Sequence, residues 1–357
     1  MEKIYFSPQP DLLPPGEKEI HPSPLKGEGL GEGDFKIFPF TEMLIRTAII
    51  ALITGTLLPI MSVYAKGTWK QLPVTPTIRT ENSAALLEEK IYVLGGFTPK
   101  GITARVDVWD PVLNNWGLAI PLPQGLHHTT ATVLNGKLYV IGGFESGFWK
   151  PVNTTYEYDP DLHRWSHKTP MPTARGALAA AVIDGKIHLV GGAHRKLFNL
   201  VNTNAHEVYD PTTDSWKTLP PLPTPRDHLT VTAANGKLFA IGGRVDVNYN
   251  NNLDVNESYD PKTRQWKKHA PLPTARSGIT SQFLKGWIHV IGGESGEGTF
   301  VKNEAYNPET DKWETFPPMP GGLHGLASVI LKGKIHILNG GPNPGGGGSN
   351  SHLVFSP

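Results

Sequence analysis

The chain has 357 residues, of which 38% are hydrophobic, so it is long enough to bury a substantial core. Its 33 lysine and arginine residues nearly balance 32 acidic residues, and the net charge of +1 gives no field that would attract nucleic acid or an anionic membrane. The lack of cysteine excludes disulfides, cysteine nucleophiles and thiolate metal sites. The 39 glycines and 33 prolines favour many short strands joined by turns, and hence an all-β fold.

The first 65 residues differ in composition from the rest of the chain. Residues 1–42 are rich in proline and glycine and have no hydrophobic period, so we interpret them as disordered or as a spurious extension before the true start at Met43. Residues 43–65 combine Arg46, an apolar run and a small residue, Ala65, in the pattern of a signal peptide. The run is shorter than the roughly 20 residues of a membrane span. We therefore expect cleavage after Ala65 rather than a retained anchor, and a mature domain over 66–357 in the periplasm or outside the cell.

From Lys66 onward the chain repeats itself. Blocks such as KIYVLGG and KLYVIGG end in a glycine doublet, and each follows a tryptophan by a fixed distance. The tryptophans recur every 47 to 51 residues, at Trp69, Trp116, Trp165, Trp216, Trp266 and Trp313. The doublets are Gly95 and Gly96, Gly142 and Gly143, Gly191 and Gly192, Gly242 and Gly243, and Gly292 and Gly293, with Asn339 and Gly340 in the sixth repeat. We assign structural roles to both sets.

Each repeat divides into four predicted strands. Asn-Gly or Asp-Gly pairs, such as Asn135 and Gly136, join the first two strands by tight hairpins. The third strand ends in an aromatic residue before a turn, as in VWDP and EYDP, and the fourth carries the tryptophan. From Thr68 to Pro357 this pattern resembles the kelch-repeat β-propellers. The resemblance implies an all-β fold of six blades with four antiparallel strands each.

The two ends of the repeat region complement each other. The C-terminal LVFSP aligns with EVYDP, which places Phe355 at the third-strand aromatic position and leaves the sixth blade without its fourth strand. The segment GTWKQLP at 67–73 is a fourth strand with no third strand before it. An open propeller would expose an unpaired strand edge. We therefore predict that the N-terminal strand pairs with the C-terminal strand and closes the ring.

Length varies only between the glycine doublet and the turn proline, a stretch of 16 to 20 residues that holds the loop from strand two to strand three. These loops emerge on the same face as the links between blades. In kelch proteins that face surrounds the mouth of the central channel, so we expect the binding site there. The loops mix aromatic and polar side chains that suit a sugar or a peptide, unless the aromatics pack against neighbouring loops. The candidates from these loops are Trp149, Arg195, Arg244 and Glu294.

The links between blades carry a second pattern, ten residues after each tryptophan. Arginine occupies this position four times, at Arg79, Arg175, Arg226 and Arg276, and leucine twice, at Leu126 and Leu323. A ring of guanidinium groups at the channel mouth could bind a carboxylate or phosphate. The alternative is structural, with each arginine tying its blade to the next through backbone carbonyls. Further candidates beside it are Glu81, His127, His128, Asp227, His228 and His324. Their spacing matches no metal motif, and we predict no cofactor.

The kelch resemblance brings three functions into consideration. The first is a non-catalytic exported propeller that binds a carbohydrate or a protein segment. The second is similar to the periplasmic six-bladed kelch mutarotases that act on sialic acid, which implies one acid and one base beside a sugar ring. No catalytic motif matches residue by residue, so catalytic residues stay unassigned. The third, the copper-radical chemistry of the galactose oxidase relatives, needs a tyrosine joined to cysteine and is excluded. The oligomeric state stays open.

Overall fold

The computed structural model describes residues 66–145 and 149–357. The predictions for residues 1–42 and 43–65 fall outside this part of the chain. The described residues form six antiparallel sheets of four main strands each, arranged as the blades of a propeller, so the predicted fold is confirmed. Over the same residues, no helix is long and apolar enough to cross a membrane.

The blades follow one another along the chain, and each comprises a first, second, third and fourth strand in that order. Blade 1 contains Ser83–Leu87, Lys90–Leu94, Val106–Asp110 and Asn115–Leu118; blade 2 contains Thr130–Leu134, Lys137–Ile141, Thr155–Asp159 and Arg164–Lys168; blade 3 contains Ala179–Ile183, Lys186–Val190, His206–Asp210 and Ser215–Thr218. Blade 4 contains Thr230–Ala234, Lys237–Ile241, Asn256–Asp260 and Gln265–Lys268; blade 5 contains Ser277–Leu284, Trp287–Ser295, Asn303–Asn307 and Lys312–Phe316; blade 6 contains Ala327–Leu331, Lys334–Leu338, His352–Ser356 and Thr68–Gln71.

Short strands extend several of the loops between the second and third strands. They pair as Phe97–Thr98 with Gly101–Ile102, Phe144–Glu145 with Lys150–Pro151, and Ala193–Lys196 with Asn199–Asn202. In blade 5, Gly298–Thr299 pairs with the end of the second strand. These hairpins stand on the face where the variable loops were predicted.

The N-terminal strand closes the propeller. Thr68 pairs with Ser356 and Trp69 with Phe355 in an antiparallel ladder, so blade 6 takes its fourth strand from the start of the repeat region. The ring of Trp69 lies 5.0 Å from that of Phe355, and its indole nitrogen donates a hydrogen bond of 2.8 Å to the carbonyl of Pro317, just past blade 5. The predicted ring closure is confirmed.

The other tryptophans repeat this contact. Each indole nitrogen donates, over 2.8 to 3.1 Å, to a carbonyl one or two residues past the fourth strand of the preceding blade. The acceptors are the carbonyls of Pro317, Pro73, Ile120, Thr169, Pro220 and Ala270. Each indole therefore links one blade to the next, which explains why every blade carries this tryptophan.

The glycine doublets bring neighbouring blades into backbone contact. A Cβ on Gly191 would lie 2.7 Å from the carbonyl oxygen of Arg226 in the next blade, and the amide of Gly192 donates to that oxygen over 2.9 Å. Glycine is needed because no side chain fits so close an approach. In the sixth repeat Asn339 takes the first position with φ of 59°, and its side-chain amide donates to the carbonyl of Thr77 over 2.9 Å.

Candidate functional site

Six residues at the channel mouth, one from each blade, form what we call the mouth ring. Each lies twelve residues after a tryptophan: Glu81, His128, Ala177, His228, Gly278 and Gly325. All six have a left-handed backbone, with φ between 51° and 64°. Each amide donates to the carbonyl of the ring residue in the preceding blade over 2.8 to 3.1 Å, and the amide of Glu81 closes the circle onto Gly325. A closed circuit of hydrogen bonds thus fixes six positions around the channel axis.

The side chains of the mouth ring are unequal. Three positions carry chemically active groups, namely Glu81, His128 and His228, and the other three carry a methyl group or no side chain. The small residues make room for the large ones, since a Cβ on Gly325 would collide with Oε1 of Glu81. A left-handed backbone is uncommon outside glycine and costs of order 1 kcal/mol or more. The non-glycine residues of the mouth ring therefore have a strained backbone, which the regular blades around them keep in place.

A second set of side chains comes from the residue directly after each glycine doublet. In the three blades where this residue is aromatic or basic, Phe97 forms a β-bridge with Thr80, Phe144 with His127, and Arg244 with Asp227. In blade 5 the equivalent residue, Glu294, pairs with Ser277 in the sheet. Their bridge partners directly precede the mouth ring. The two sets therefore lie side by side, and each position can be counted from its tryptophan.

These residues surround a cavity of about 630 Å³, which we call the mouth cavity. Its polar lining consists of Thr80, Glu81, Thr98, His128, His228, Arg244, Glu294 and His324. Its apolar lining includes Ile78, Phe97, Pro99 and Trp149, and the backbone of Gly345–Gly348 borders it. Links between blades and variable loops both contribute, so the predicted functional face does contain a concave site.

Arg244 lies at the centre of a hydrogen-bond network. Its Nε donates to Oδ1 of Asp227 over 3.1 Å, its Nη1 to Oε1 of Glu294 over 2.8 Å, and its Nη2 to Nε2 of His228 over 2.9 Å. His228 in turn contacts Asp227 through Nδ1. Because a guanidinium can only donate, Nε2 of His228 is the acceptor in its contact with Arg244.

His324 lies between two carboxylates. Its Nδ1 is 3.2 Å from Oε1 of Glu81 and 3.4 Å from Oε2 of Glu294, and its Nε2 is 3.3 Å from the carbonyl of Gly346. Burial opposes the charged form, but the close ion-pair contact with Glu81, and then the charge of Glu294, raise the pKa of His324 to about 9. Burial likewise opposes ionisation of Glu81, yet His128 and His324 hold its pKa well below the usual value. The cavity therefore holds an imidazolium beside a carboxylate.

Two further histidines join an aromatic wall. Burial lowers the pKa of His127 to about 4 and that of His128 well below its usual value, and their Nδ1 atoms share one hydrogen bond. The ring of His128 lies 4.6 Å from that of Trp149, and the ring of His127 lies 4.0 Å from that of Phe97. Phe97 and Trp149 are 6.2 Å apart. Neutral imidazoles thus support the two aromatic side chains that face the cavity.

Glu81, His128 and His228 are also the group of described residues that could offer ligand atoms to a metal ion, within 4.8 Å of one another. However, Nε2 of His228 accepts from Arg244, and Glu81 lies against the His324 imidazolium. A divalent cation would have to displace one positively charged partner and bind close to another. The donor set is better suited to internal ion pairing than to holding a metal.

The four arginines of the links do not lie on this cavity, so their prediction as a guanidinium ring at the channel mouth is corrected. Arg226 is completely buried, and its guanidinium donates to Oε2 of Glu257 over 2.7 Å, to the carbonyl of Gly242 over 2.8 Å and to that of Ala240 over 2.9 Å. The equivalent pairs are Arg79 with Asp107, Arg175 with Glu207, and Arg276 with Glu304. Each guanidinium anchors the link to its own blade, while the arginine's carbonyl accepts from the preceding glycine doublet. The arginines therefore have the structural role that the sequence left open as the alternative, in which they bind backbone carbonyls and connect blades.

The two leucine blades support the same role. Where Leu126 and Leu323 replace arginine, the acidic residue on the third strand is also replaced, by Tyr156 and Leu353. All four of these side chains are buried. A blade therefore uses either a buried ion pair or an apolar pair at this place, and neither form presents a group to the cavity.

The remaining candidates fall into three groups. Glu81, His128, Trp149, His228, Arg244 and Glu294 line the mouth cavity, as does His324. Asp227 is buried behind it and contacts Arg244 and His228. Arg195 lies on the hairpin of blade 3 outside the lining, where it donates to the carbonyl of Phe198. Sequence reasoning did not single out Phe97 or the glycines at 345–348, although counting 28 residues from Trp69 would have found Phe97.

Comparisons with known proteins agree with this architecture. The Kelch motif family matches residues 78–116, 225–273 and 275–320, and the KLHDC2/KLHL20/DRC7 Kelch-repeats domain family matches residues 118–243. A solved structure titled "Structure of YjhT" superposes with a TM-score of 0.71 over 80% of this chain and 97% of that one, at 17% identity. The family matches and the structural match thus describe one class of fold.

Curated relatives give the family more specifically. Kelch-like protein terF of Aspergillus terreus is 31% identical over 223 residues, which is 57% of this chain and 49% of that protein. Kelch-like protein 35 of Homo sapiens is 44% identical over 179 residues, 50% of this chain and 29% of that protein, and Beta-scruin of Limulus polyphemus is 26% identical over 176 residues, 49% and 14%. The chain spans half or less of these relatives. It belongs to the kelch-repeat β-propeller family.

Proposed function

We propose that the mouth cavity binds a carbohydrate. The observation that carries this proposal is that the aromatic wall of Phe97 and Trp149 lines the same cavity as the carboxylates of Glu81 and Glu294. Aromatic rings pack against the apolar face of a sugar, and carboxylate oxygens accept hydrogen bonds from its hydroxyl groups. The cavity supplies both kinds of contact within about 630 Å³.

A protein segment is the other ligand to consider, because kelch propellers commonly bind protein partners. The depth of the site favours the sugar. The cavity volume of about 630 Å³ falls within the range of small-molecule pockets, about 300–1,000 Å³. The side chain of Glu81 is only 11% exposed and that of His324 only 2%. A peptide would have to insert a side chain to reach either group, whereas a free or terminal sugar can enter whole.

The test is a glycan array on the protein, followed by calorimetry on the glycans that bind. Trp149→Ala should weaken binding of any such glycan at least tenfold, because it removes the aromatic platform. Lys100→Ala, outside the cavity lining on a loop of the same face, is the matched control and should bind as the parent does. Binding only to peptides, or equal glycan affinity in Trp149→Ala, would overturn the proposal.

A second candidate function is anomerisation of the bound sugar, and it is favoured by one observation. Nδ1 of His324 lies 3.2 Å from Oε1 of Glu81 in the cavity, where the pKa of Glu81 is held well below its usual value and that of His324 is raised to about 9. Glu81 would accept the proton of the anomeric hydroxyl while His324 donates one to the ring oxygen, which opens the ring; the reverse transfers close it on either face. Exchange between anomers measured by NMR tests this. No acceleration, or acceleration that survives Glu81→Gln, would exclude it.

We also propose that the protein is exported, on the basis of the signal-peptide pattern in residues 43–65. Expression of the full chain in a bacterial host should yield a mature product that begins near Lys66. Intact mass spectrometry of the periplasmic fraction measures this directly. A cytoplasmic product that retains Met1 would contradict both the signal peptide and the location.

A further inference from the structure

The charges around the mouth cavity are not balanced. Two carboxylates and two cations line it, namely Glu81, Glu294, Arg244 and His324. Asp227, buried directly behind Arg244, adds a third carboxylate. None of the lining residues is a lysine. The three carboxylates therefore outnumber Arg244 and His324, which disfavours an anion.

Both cations are already committed to protein groups. The three nitrogens of Arg244 donate to Asp227, Glu294 and His228. The two nitrogens of His324 face carboxylates on one side and the carbonyl of Gly346 on the other. A ligand carboxylate would therefore compete with these protein carboxylates for Arg244 and His324. Neither cation of the cavity lacks an acidic partner in the protein.

Glu81 retains capacity to accept further hydrogen bonds. Its Oε1 lies 3.2 Å from His324 and its Oε2 lies 3.2 Å from His128, so each oxygen has one close partner. An ionised carboxylate can accept about four hydrogen bonds. The unused acceptor positions of the Glu81 carboxylate are open to the cavity. Of the two glutamates that line the cavity, Glu81 has the more exposed side chain, at 11% against 2% for Glu294. The group that a ligand meets first is therefore an acceptor with negative charge.

The aromatic wall strengthens the preference for positive charge. The rings of Phe97 and Trp149 are 6.2 Å apart and inclined by 44°, and both border the same cavity as Glu81. Aromatic faces attract ammonium groups through their negative quadrupole, more strongly where water is excluded. Two aromatic rings and one carboxylate form the combination that recognises an alkylammonium ion.

We propose that the sugar taken by the mouth cavity bears an ammonium group, as a 2-amino sugar does, and that the site rejects sugars with a carboxylate. Glu81 is the residue that selects for the amine. This inference rests on the carbohydrate proposal and names the class of sugar. It also departs from the acidic sugar that the mutarotase resemblance implies.

The experiment measures the affinity of the protein for four probes of one hexose scaffold by calorimetry or NMR at about pH 6, where an amine is protonated. The probes are glucosamine, N-acetylglucosamine, glucose and glucuronate. Glucosamine should bind roughly tenfold or more tighter than glucose or N-acetylglucosamine, as expected for one charge-assisted hydrogen bond. Glucuronate should be the weakest. Because this series uses the unaltered protein, it does not depend on how a variant folds.

Two variants then locate the selectivity. Glu81→Gln should lose the preference for glucosamine while it still binds glucose, because an amide keeps an acceptor but no charge. Glu145→Gln is the matched control, since Glu145 is an acidic residue of the same face that pairs with Lys150 outside the cavity lining. It should keep the preference unchanged. A preference that persists in Glu81→Gln would overturn the role of Glu81.

The outcomes separate this inference from the carbohydrate proposal. Equal binding of glucosamine and glucose, or tightest binding of glucuronate, would overturn the inference and leave the carbohydrate proposal standing. If no sugar binds, the carbohydrate proposal fails, and ethanolamine and acetate then test the charge preference alone. Shifts of the Trp149 and His324 signals with ethanolamine but not acetate would support the charge preference. If ethanolamine shifted neither signal, the preference for a positively charged ligand would be overturned together with the carbohydrate proposal.

Discussion

Two positions on the same links have opposite roles. The residue ten places after each tryptophan anchors a blade, and the residue twelve places after it forms the mouth ring. In blade 4 these are Arg226, which is buried against Glu257, and His228, which lines the mouth cavity. The anchoring position repeats one residue type in four blades of six, whereas the mouth ring carries glutamate, histidine, alanine and glycine. Every blade has to be anchored to its link, so the anchoring position tends to carry the same residue. The mouth cavity is a single site near the channel axis, so each blade contributes a different residue to it.

The largest expected effect is on the anchoring position. Arg226→Leu should lower the free energy of unfolding by about 3–5 kcal/mol, because it leaves the buried carboxylate of Glu257 without its cation. Chemical denaturation followed by tryptophan fluorescence measures this. The affinity of the mouth cavity for its ligand should not change in the folded variant. A loss below about 1 kcal/mol would contradict the anchoring role.

The blades that carry leucine at the anchoring position suggest a double variant that should restore the stability lost in Arg226→Leu. Arg226→Leu combined with Glu257→Leu copies the arrangement of Leu323 and Leu353 in blade 6. The double variant should recover at least half of the lost stability, since an apolar pair replaces a buried ion pair at little net cost. The carbonyls that Arg226 served would keep some of the loss. If the double variant were less stable than Arg226→Leu alone, the equivalence of the two arrangements would be wrong.

A smaller effect is expected on the pH dependence of stability. The pKa of His324 is about 9 in the folded protein, above the usual value of 6.5, so its contribution is complete below pH 6.5 and is lost as pH rises towards 9. Buried histidines such as His206 and His352 have pKa values lowered to about 3, so their contributions are lost as pH falls below 6.5. Stability should therefore be greatest near pH 6.5.

Glu81→Gln sharpens this prediction. It removes the carboxylate that contributes most to the raised pKa of His324, so that pKa should fall and the alkaline loss of stability, roughly 3 kcal/mol in the parent, should shrink. Unfolding at a series of pH values and an NMR titration of His324 measure the two effects. Glu145→Gln should leave both unchanged. If Glu81→Gln lost as much stability as the parent when the pH rises towards 9, the loss would not come from the Glu81–His324 pair.

Much of the fold could be read from the sequence because its signals are periodic. The six tryptophans set the blade count, and the alignment of Phe355 with the third-strand aromatics predicted its pairing with Trp69. The ion pairs of the anchoring position were hidden, because each arginine and its acidic partner are 28 to 32 residues apart across a loop of variable length. A repeated arginine was therefore taken as a candidate ligand group rather than as half of a buried pair.

The site itself was only partly predictable. Glu81 and His324 come from opposite ends of the repeat region and meet only because the ring closes. The commitment of Arg244 to three partners depends on side-chain geometry that no spacing rule provides. The mouth ring could have been found by counting twelve residues from each tryptophan and noting where the residue types differ. Its hydrogen-bonded circuit and left-handed backbone required the structure.

The central claim is that the positions ten and twelve places after a tryptophan divide stability from ligand binding, and blade 4 tests it most directly. The measurement pairs the free energy of unfolding with the affinity for glucosamine in Arg226→Leu and in His228→Ala. We predict that Arg226→Leu loses about 3–5 kcal/mol of stability and keeps the parent affinity, while His228→Ala loses about 1 kcal/mol and binds at least tenfold more weakly. Parent-like affinity in His228→Ala together with lost affinity in folded Arg226→Leu would contradict the account.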